Sequence, residues 1–280
     1  MPTQNTAPPL VAYYAGQWTR YVKMAVGYAN EIKAFSVGEQ DIIRDEEGGQ
    51  KAYWGVFPQD SDEHLYAVLR KQAENMVGRL VWLATEAFPP TGVKIEINCK
   101  DYTDQFLPDD DSFSSFDPMA VWIALREKYS GNGGSDIAHG QSAELLVSLF
   151  RLKKGMPMET KAGAVILNLA VYVDSFDLKH FKRKNLGYGS KGELCKLLVA
   201  LEAFFSWAEI DLGLNGLQRL AHRFNHSNYS VESREKITVA SGLNIVTYHN
   251  RFEFRFSTEL AEKFAIYLSM YGNNALDMAA

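Results

Sequence analysis

A chain of 280 residues with 46% hydrophobic and 22% charged side chains has the make-up of an ordinary globular protein, long enough for one large domain or two small ones. Its net charge of −5 argues against a protein that coats nucleic acid non-specifically, which demands a basic surface, but leaves room for a local basic patch. Two cysteines, Cys99 and Cys195, are too few for a disulfide framework or a four-cysteine zinc site, and they suit a reducing cytoplasm.

The opening MPTQNTAPPL has neither the positive patch nor the apolar core of a secretory signal, and it reads as a disordered tail. No apolar run approaches the roughly 20 residues of a membrane helix, so no membrane association is expected. Apolar residues at Leu10, Tyr14, Trp18, Tyr21, Ala25, Tyr28, Ile32 and Phe35 recur with a helical period, and the polar SVGEQDIIRDEEGGQK is expected to end that helix. AYWGVF reads as a short strand. Asp60 and Glu63 then form a capping-box pattern. The long helix it opens carries Leu65, Leu69, Ala73, Met76, Leu80, Leu83 and Phe88 on one face. FPP stops it, because proline disfavours helix in the residue before it.

VKIEIN alternates with period two and predicts a half-buried strand leading to Cys99. CKDYTDQFLPDDDSFSSFD is acidic, serine-rich and aperiodic. It predicts an acidic linker or loop over 101–116, between an N-terminal helical domain with two short strands (1–100) and a C-terminal α+β domain (117–280). Asp117–Pro118 reads as an N-cap followed by proline at the first helical position, opening the helix MAVWIALREKYSG. Another helix is expected from Ser135 to near Gly155.

AVILNLAVYV reads as a buried strand. Ser190 and Glu193 form a second capping box, before a helix with Leu194, Leu197, Leu198, Leu201, Phe204, Phe205 and Ala208 on one face. Asn215 starts a shorter helix. KITVA, NIVTYHN and FEFRF read as strands of a meander. Ser257 caps a final helix with Leu260, Phe264, Tyr267, Leu268 and Tyr271, closed by Gly272. The predicted fold class is therefore α+β: mostly helical, with short antiparallel strands that include a C-terminal β-meander followed by a helix, and no βαβ alternation.

Few motifs carry chemistry. In LAHRFNHSNYS, His222 and His226 stand four apart, the spacing by which some zinc hydrolases present two ligands. The residues between are Arg-Phe-Asn, with no glutamate to activate water and a cation beside the pair, so the stretch reads as a helix end. GYGSKG is a literal G-x-G-x-x-G, but no strand runs into it and no βαβ unit surrounds it. Asp109, Asp110 and Asp111 lack the alternating ligands and central glycine of a calcium loop, since Phe113 and Phe116 stand where oxygen donors are needed. No nucleophile elbow or Cys–His pairing is present. No catalytic residue, metal ligand or cofactor is assigned.

One stretch is chemically loaded. KHFKRKNLGYGSKG gathers Lys179, His180, Lys182, Arg183, Lys184 and Lys191 around Phe181 and Tyr188, just before a helix N-terminus whose backbone N–H groups favour anions. Cations interleaved with aromatic rings suit a nucleic-acid backbone and its bases. A solvated charged loop is the competing reading. Lys179, His180, Lys182, Arg183, Lys184, Tyr188 and Lys191 are the candidate nucleic-acid or anion-binding residues.

Three blocks resemble a family: AVWIALREKYSG; GQSAELLVSLFRL followed by GAVILNLAVYV; and GLNIVTYHNRFEFRFSTELAEKFAIYL. Together they make the last 160 or so residues similar to the uncharacterised domain-of-unknown-function family 4942, carried by bacterial prophages, plasmids and conjugative elements. KHFKRKNLGYGSKG looks like an insertion relative to that pattern. Some members carry a DNA methyltransferase domain, but the Asn/Asp-Pro-Pro-Tyr/Phe motif of such an enzyme is absent here. The resemblance implies a cytoplasmic protein of a mobile element, with defence, counter-defence or DNA handling as the expected tasks. Two functions follow as expectations: a non-enzymatic binding protein acting on a protein or nucleic-acid partner, or a nucleic-acid-processing enzyme whose site is assembled only by folding.

Overall fold

Apolar residues at helical spacing build most of the molecule, and strands appear where the period changes to two. The computed structural model describes residues 7–46, 61–89, 93–108, 113–155, 159–181, 184–210, 216–272 and 275–276. The chain divides into two compact units, residues 1–88 with 97–130, and residues 89–96 with 131–280.

The first unit is helical among its described residues. It comprises α1 (Pro9–Glu46), α2 (Ser61–Ala87), α3 (Cys99–Phe106), a short 3-10 turn (Phe113–Ser115) and α4 (Pro118–Tyr129). α1 runs well past the expected end near Phe35, because SVGEQDIIRDE is polar without a proline and polarity alone does not break a helix. α2 ends at Ala87 before the prolines, as expected. Asp60, and with it the capping box, lies outside the described residues, as does AYWGVF.

The acidic stretch over 101–116 is not simply a linker. Asn98 caps α3 by accepting the Lys100 N–H, so Cys99 opens a helix and ends no strand. Tyr102, Phe113 and Phe116 are buried. Trp18 Nε1 donates to the Phe113 carbonyl at 2.8 Å and meets Phe116 edge-on at 5.1 Å. Asp101 and Asp104 face out while Tyr102, Phe113 and Phe116 enter the core, an arrangement that composition alone disguises; Asp109, Asp110 and Asp111 lie outside the described residues. Asp117 caps α4 as predicted, accepting from the Met119 N–H at 2.8 Å.

In the second unit, α5 (Gly131–Leu149), α6 (Tyr188–Trp207), α7 (Gly216–His226) and α8 (Thr258–Tyr271) accompany one antiparallel sheet. The strands are β1 (Glu159–Lys161), β2 (Ala164–Ala170), β3 (Lys236–Ala240), β4 (Leu243–Thr247) and β5 (Arg251–Ser257), in the order β1-β2-β5-β4-β3. The α+β class and the terminal meander followed by a helix are thus present. Pairing of β2 with β5 joins the meander to the upstream strand, with Leu167 opposite Phe254 and Asn168 opposite Glu253. α5 begins at Gly131 and not at Ser135; burial of Gly134 and Ala138 sustains a turn that glycine propensity disfavours.

VKIEIN buries Val93 and Ile95 in alternation but joins no sheet. Its backbone finds another partner. The Gln141 side-chain amide accepts from the Glu96 N–H at 2.8 Å and donates to the Glu96 carbonyl at 2.7 Å, standing in for a neighbouring strand.

Phe252, Phe254 and Phe256 lie on one face of β5 and are fully buried among Leu167, Ile245, Phe204 and Phe264. All four helices contribute to this single core. Among the described residues no helix is long and apolar enough to cross a membrane.

Candidate functional site: an exposed aromatic and basic segment

Residues 172–191 leave the sheet after β2 and return into α6, pinned at their base by backbone bonds. Val173 bridges Leu186, and the Asp174 N–H reaches the Asn185 carbonyl at 2.8 Å. The Leu186 N–H donates to Tyr229 O, and the Val231 N–H to Lys184 O, so the loop after α7 buttresses the same segment. Asp174 Oδ1 accepts the N–H groups of Phe176 and Asp177, and Asn185 Nδ2 donates to Asp177 Oδ2. Both acids are therefore engaged in shaping the segment.

The tip is a turn of wide π-helix, Asp177–Phe181. Along the segment and at the start of α6, rings that a protein surface ordinarily hides are open: Phe176 is 61% exposed, Phe181 55% and Tyr188 92%. Leu178 joins them. Phe176 meets the His180 ring at 4.5 Å and Phe181 edge-on at 5.9 Å. Lys179, His180 and Lys184 are exposed, and Lys191 is half-buried with its Nζ over the Tyr229 ring at 5.2 Å. Tyr229 shares a hydrogen bond with the Cys195 thiol, which with burial pushes its phenol up to about 12, so it stays neutral beside that ammonium. Lys182 and Arg183 lie outside the described residues. The structure thus brings Lys179, His180, Lys184, Tyr188 and Lys191 onto one pinned segment with exposed rings.

The start of α6 differs from the expectation. Gly187, not Ser190, is its N-cap. Ser190 is fully buried, and its Oγ accepts the Tyr172 N–H at 3.0 Å. Tyr172 in turn offers its hydroxyl to the Gly189 N–H at 3.1 Å, taking one of the helix-terminal donors that an anion would use. A Cβ on Gly187 would collide with the edge of the Tyr172 ring at Cε2, and one on Gly189 would stand 2.8 Å from its hydroxyl oxygen. The first two glycines of GYGSKG are there to seat a tyrosine. They are not a phosphate fingerprint.

The histidine pair resolves similarly. His222 and His226 share a face, with ring centroids 6.2 Å apart, and both are exposed. α7 stops at His226, after which Asn228 and Tyr229 adopt left-handed φ of 51° and 57° and the Tyr229 N–H folds back to Phe224 O. Arg223 pairs with Glu235. Among the described residues no group of three His, Cys, Asp or Glu side chains is placed to hold a metal ion.

No protein-family model, curated protein or solved structure matches this chain.

Two features escaped the sequence reading. Tyr172 and Phe176 precede the basic run and carry no motif. On β5, Arg251, Glu253 and Arg255 occupy the face opposite the three phenylalanines, a consequence already written in the strict alternation of RFEFRF.

Proposed function

We propose that this chain is a non-enzymatic binding protein whose ligand is single-stranded nucleic acid, gripped at residues 172–191. The observation that carries the reading is the exposure of Phe176, Phe181 and Tyr188 on a backbone-pinned segment beside Lys179, His180 and Lys184. Exposed rings on an ordered segment cost hydration that stacking on unpaired bases would recover, at about 1–3 kcal/mol per base. Flanking lysines neutralise phosphates. In an acidic chain a local patch of this kind suits a strand threaded locally better than a duplex coated broadly. Its setting in a prophage, plasmid or conjugative element, and a part in defence or counter-defence, rest on the three resembling sequence blocks.

Fluorescence anisotropy with labelled oligodeoxythymidine and a matched duplex tests this. Preferential binding of the single strand is expected, with a log–log salt slope that falls by about 2 when Lys182, Arg183 and Lys184 are replaced by alanine. Tyr188→Ala should weaken binding roughly tenfold at unchanged melting temperature. Equal affinity for the duplex, or an unchanged slope, overturns the reading. Absence of any nucleic-acid binding transfers the surface to a protein partner, and strand cleavage with Mg²⁺ or Mn²⁺ makes the chain a nucleic-acid-processing enzyme.

A further inference from the structure

The face of the sheet opposite the core has a composition of its own. Cross-strand pairing aligns Glu159, Ile166, Arg255, Asn244 and Thr238 in one row, and Asn168, Glu253, Val246 and Lys236 in the next. Arg251 stands beyond them opposite Ala170, and Lys161 lies at the other end opposite Ala164. Four cations therefore face two carboxylates, a local excess of positive charge in a chain of net charge −5. Among the described residues every helix of this unit contributes to the core on the other side; on this face Asn168, Ala170, Lys236 and Thr238 are exposed, while Ile166, Val246 and Glu253 between them are buried.

At the centre, one carboxylate serves two guanidinium groups. Arg251 donates from Nε and Nη2 to Glu253 Oε1 at 3.2 and 2.9 Å, and Arg255 Nη2 donates to Oε2 at 2.7 Å. Burial alone would raise the Glu253 pKa, but the hydrogen bonds and charges of Arg255 and Arg251 outweigh it and hold the acid below its ordinary range. The side chain of Glu253 is 8% exposed, against 41% and 33% for Arg251 and Arg255. Solvent thus meets the arginines and not the acid.

Each guanidinium carries five N–H donors, and Glu253 accepts three bonds from the pair. The Arg255 Nε–H is buried with no acceptor. That buried donor is out of reach of solvent, so the donors open to a phosphate oxygen are the remaining η N–H groups of the two partly exposed guanidinium forks, for which arginine geometry is suited. Thr238 Oγ1 donates to Asn244 Oδ1 at 2.9 Å, which turns that amide's Nδ2 donor away from it.

This face is continuous with the exposed segment. The Val171 N–H bonds the Asn250 carbonyl at the end of the sheet, and alternation along the chain carries Ala170 and then Tyr172 to the outer side. We propose that the outer sheet face is a second stretch of the same nucleic-acid track, in which Arg251 and Arg255, held side by side by Glu253, donate to consecutive phosphodiester groups. The inference rests on the reading of residues 172–191 as a single-strand site and extends the ligand's path across β5.

The test uses the full chain and oligodeoxythymidine. Replacing the triad together, Arg251→Gln/Glu253→Gln/Arg255→Gln, removes both cations without leaving a buried carboxylate unpaired. The expected result is weaker binding with a salt slope lower by about 1.4, at about 0.7 per phosphate contact. In the wild-type chain the Arg255 Nε–H resonance should shift on adding the strand, which keeps the proposal testable if the triple variant fails to fold. A bound strand that leaves both the slope and that resonance unchanged overturns the sheet track and spares the loop site. No binding by the wild type overturns both.

Discussion

The second unit holds two aromatic clusters, each with an imidazole against a ring, and they are built for opposite ends. Inside, His139 lies 5.7 Å from Tyr267 and 5.2 Å from Tyr271, while Phe204, Phe254 and Phe264 fill the space toward the sheet. Outside, His180 lies 4.5 Å from Phe176, next to Phe181, and all three are exposed. The inner rings come from helix stripes and a strand of period two, so regular structure delivers them to one place. The outer rings come from an irregular turn that backbone bonds hold open. Ring content is similar; what differs is whether the surrounding backbone points the rings at other apolar groups or at solvent. An exposed cluster of this kind is the feature on which the proposed binding function rests.

The sharpest way to break this contrast is to empty the inner cluster. Phe254 is fully buried and meets Phe150 edge-on at 5.3 Å, so Phe254→Ala is expected to cost about 3–5 kcal/mol in urea denaturation. Phe181→Ala should stay within about 0.5 kcal/mol of wild type in the same assay. Comparable losses for both would mean that the outer rings are structural after all.

A smaller effect is expected where the outer segment is anchored. Gly187→Ala drives a methyl into Tyr172 and should cost about 1–3 kcal/mol, with loss of strand affinity in parallel. Paired with Tyr172→Ala, which vacates the space, part of that stability should return. No rescue would separate the glycine from the tyrosine.

The smallest effect concerns the inner imidazole. Burial lowers the His139 pKa below its ordinary value, a shift that the nearby Asp136 only partly opposes. The folded state therefore binds fewer protons than the unfolded one in acid. The stabilisation is fully present above about pH 6.5 and is lost as pH falls below that value toward the folded pKa. Denaturation midpoints measured between about pH 7.5 and 5.5 should decline less steeply for His139→Gln than for wild type. Identical slopes would remove His139 as the source.

Much of the fold was legible. Period located α2, α6 and the meander, and period together with the Asp117 and Ser257 caps located α4 and α8, because the residues that end or align these elements act within a few positions of themselves. What failed did so for tertiary reasons. The aromatics of 101–116 had no local period, yet Phe113 and Phe116 are core residues because Trp18, nearly a hundred positions away, meets both. Ser190 had the spacing of a cap, but Tyr172 claimed its oxygen. Of the candidate site, the lysines and Tyr188 were visible as composition, whereas Tyr172 and Phe176 were not, since no motif marks a ring that a turn will later expose.

By itself the sequence determined the fold class, the faces of the long helices and the alternation that separates Phe252, Phe254 and Phe256 from Arg251, Glu253 and Arg255. Those are consequences of backbone period and of local capping, which read neighbours only. Tertiary structure alone decided that GYGSKG seats a tyrosine, that VKIEIN is paired by a glutamine side chain, and that β2 lies beside β5. It also decided which aromatic rings remain in water, because each of those outcomes depends on a partner supplied by distant chain.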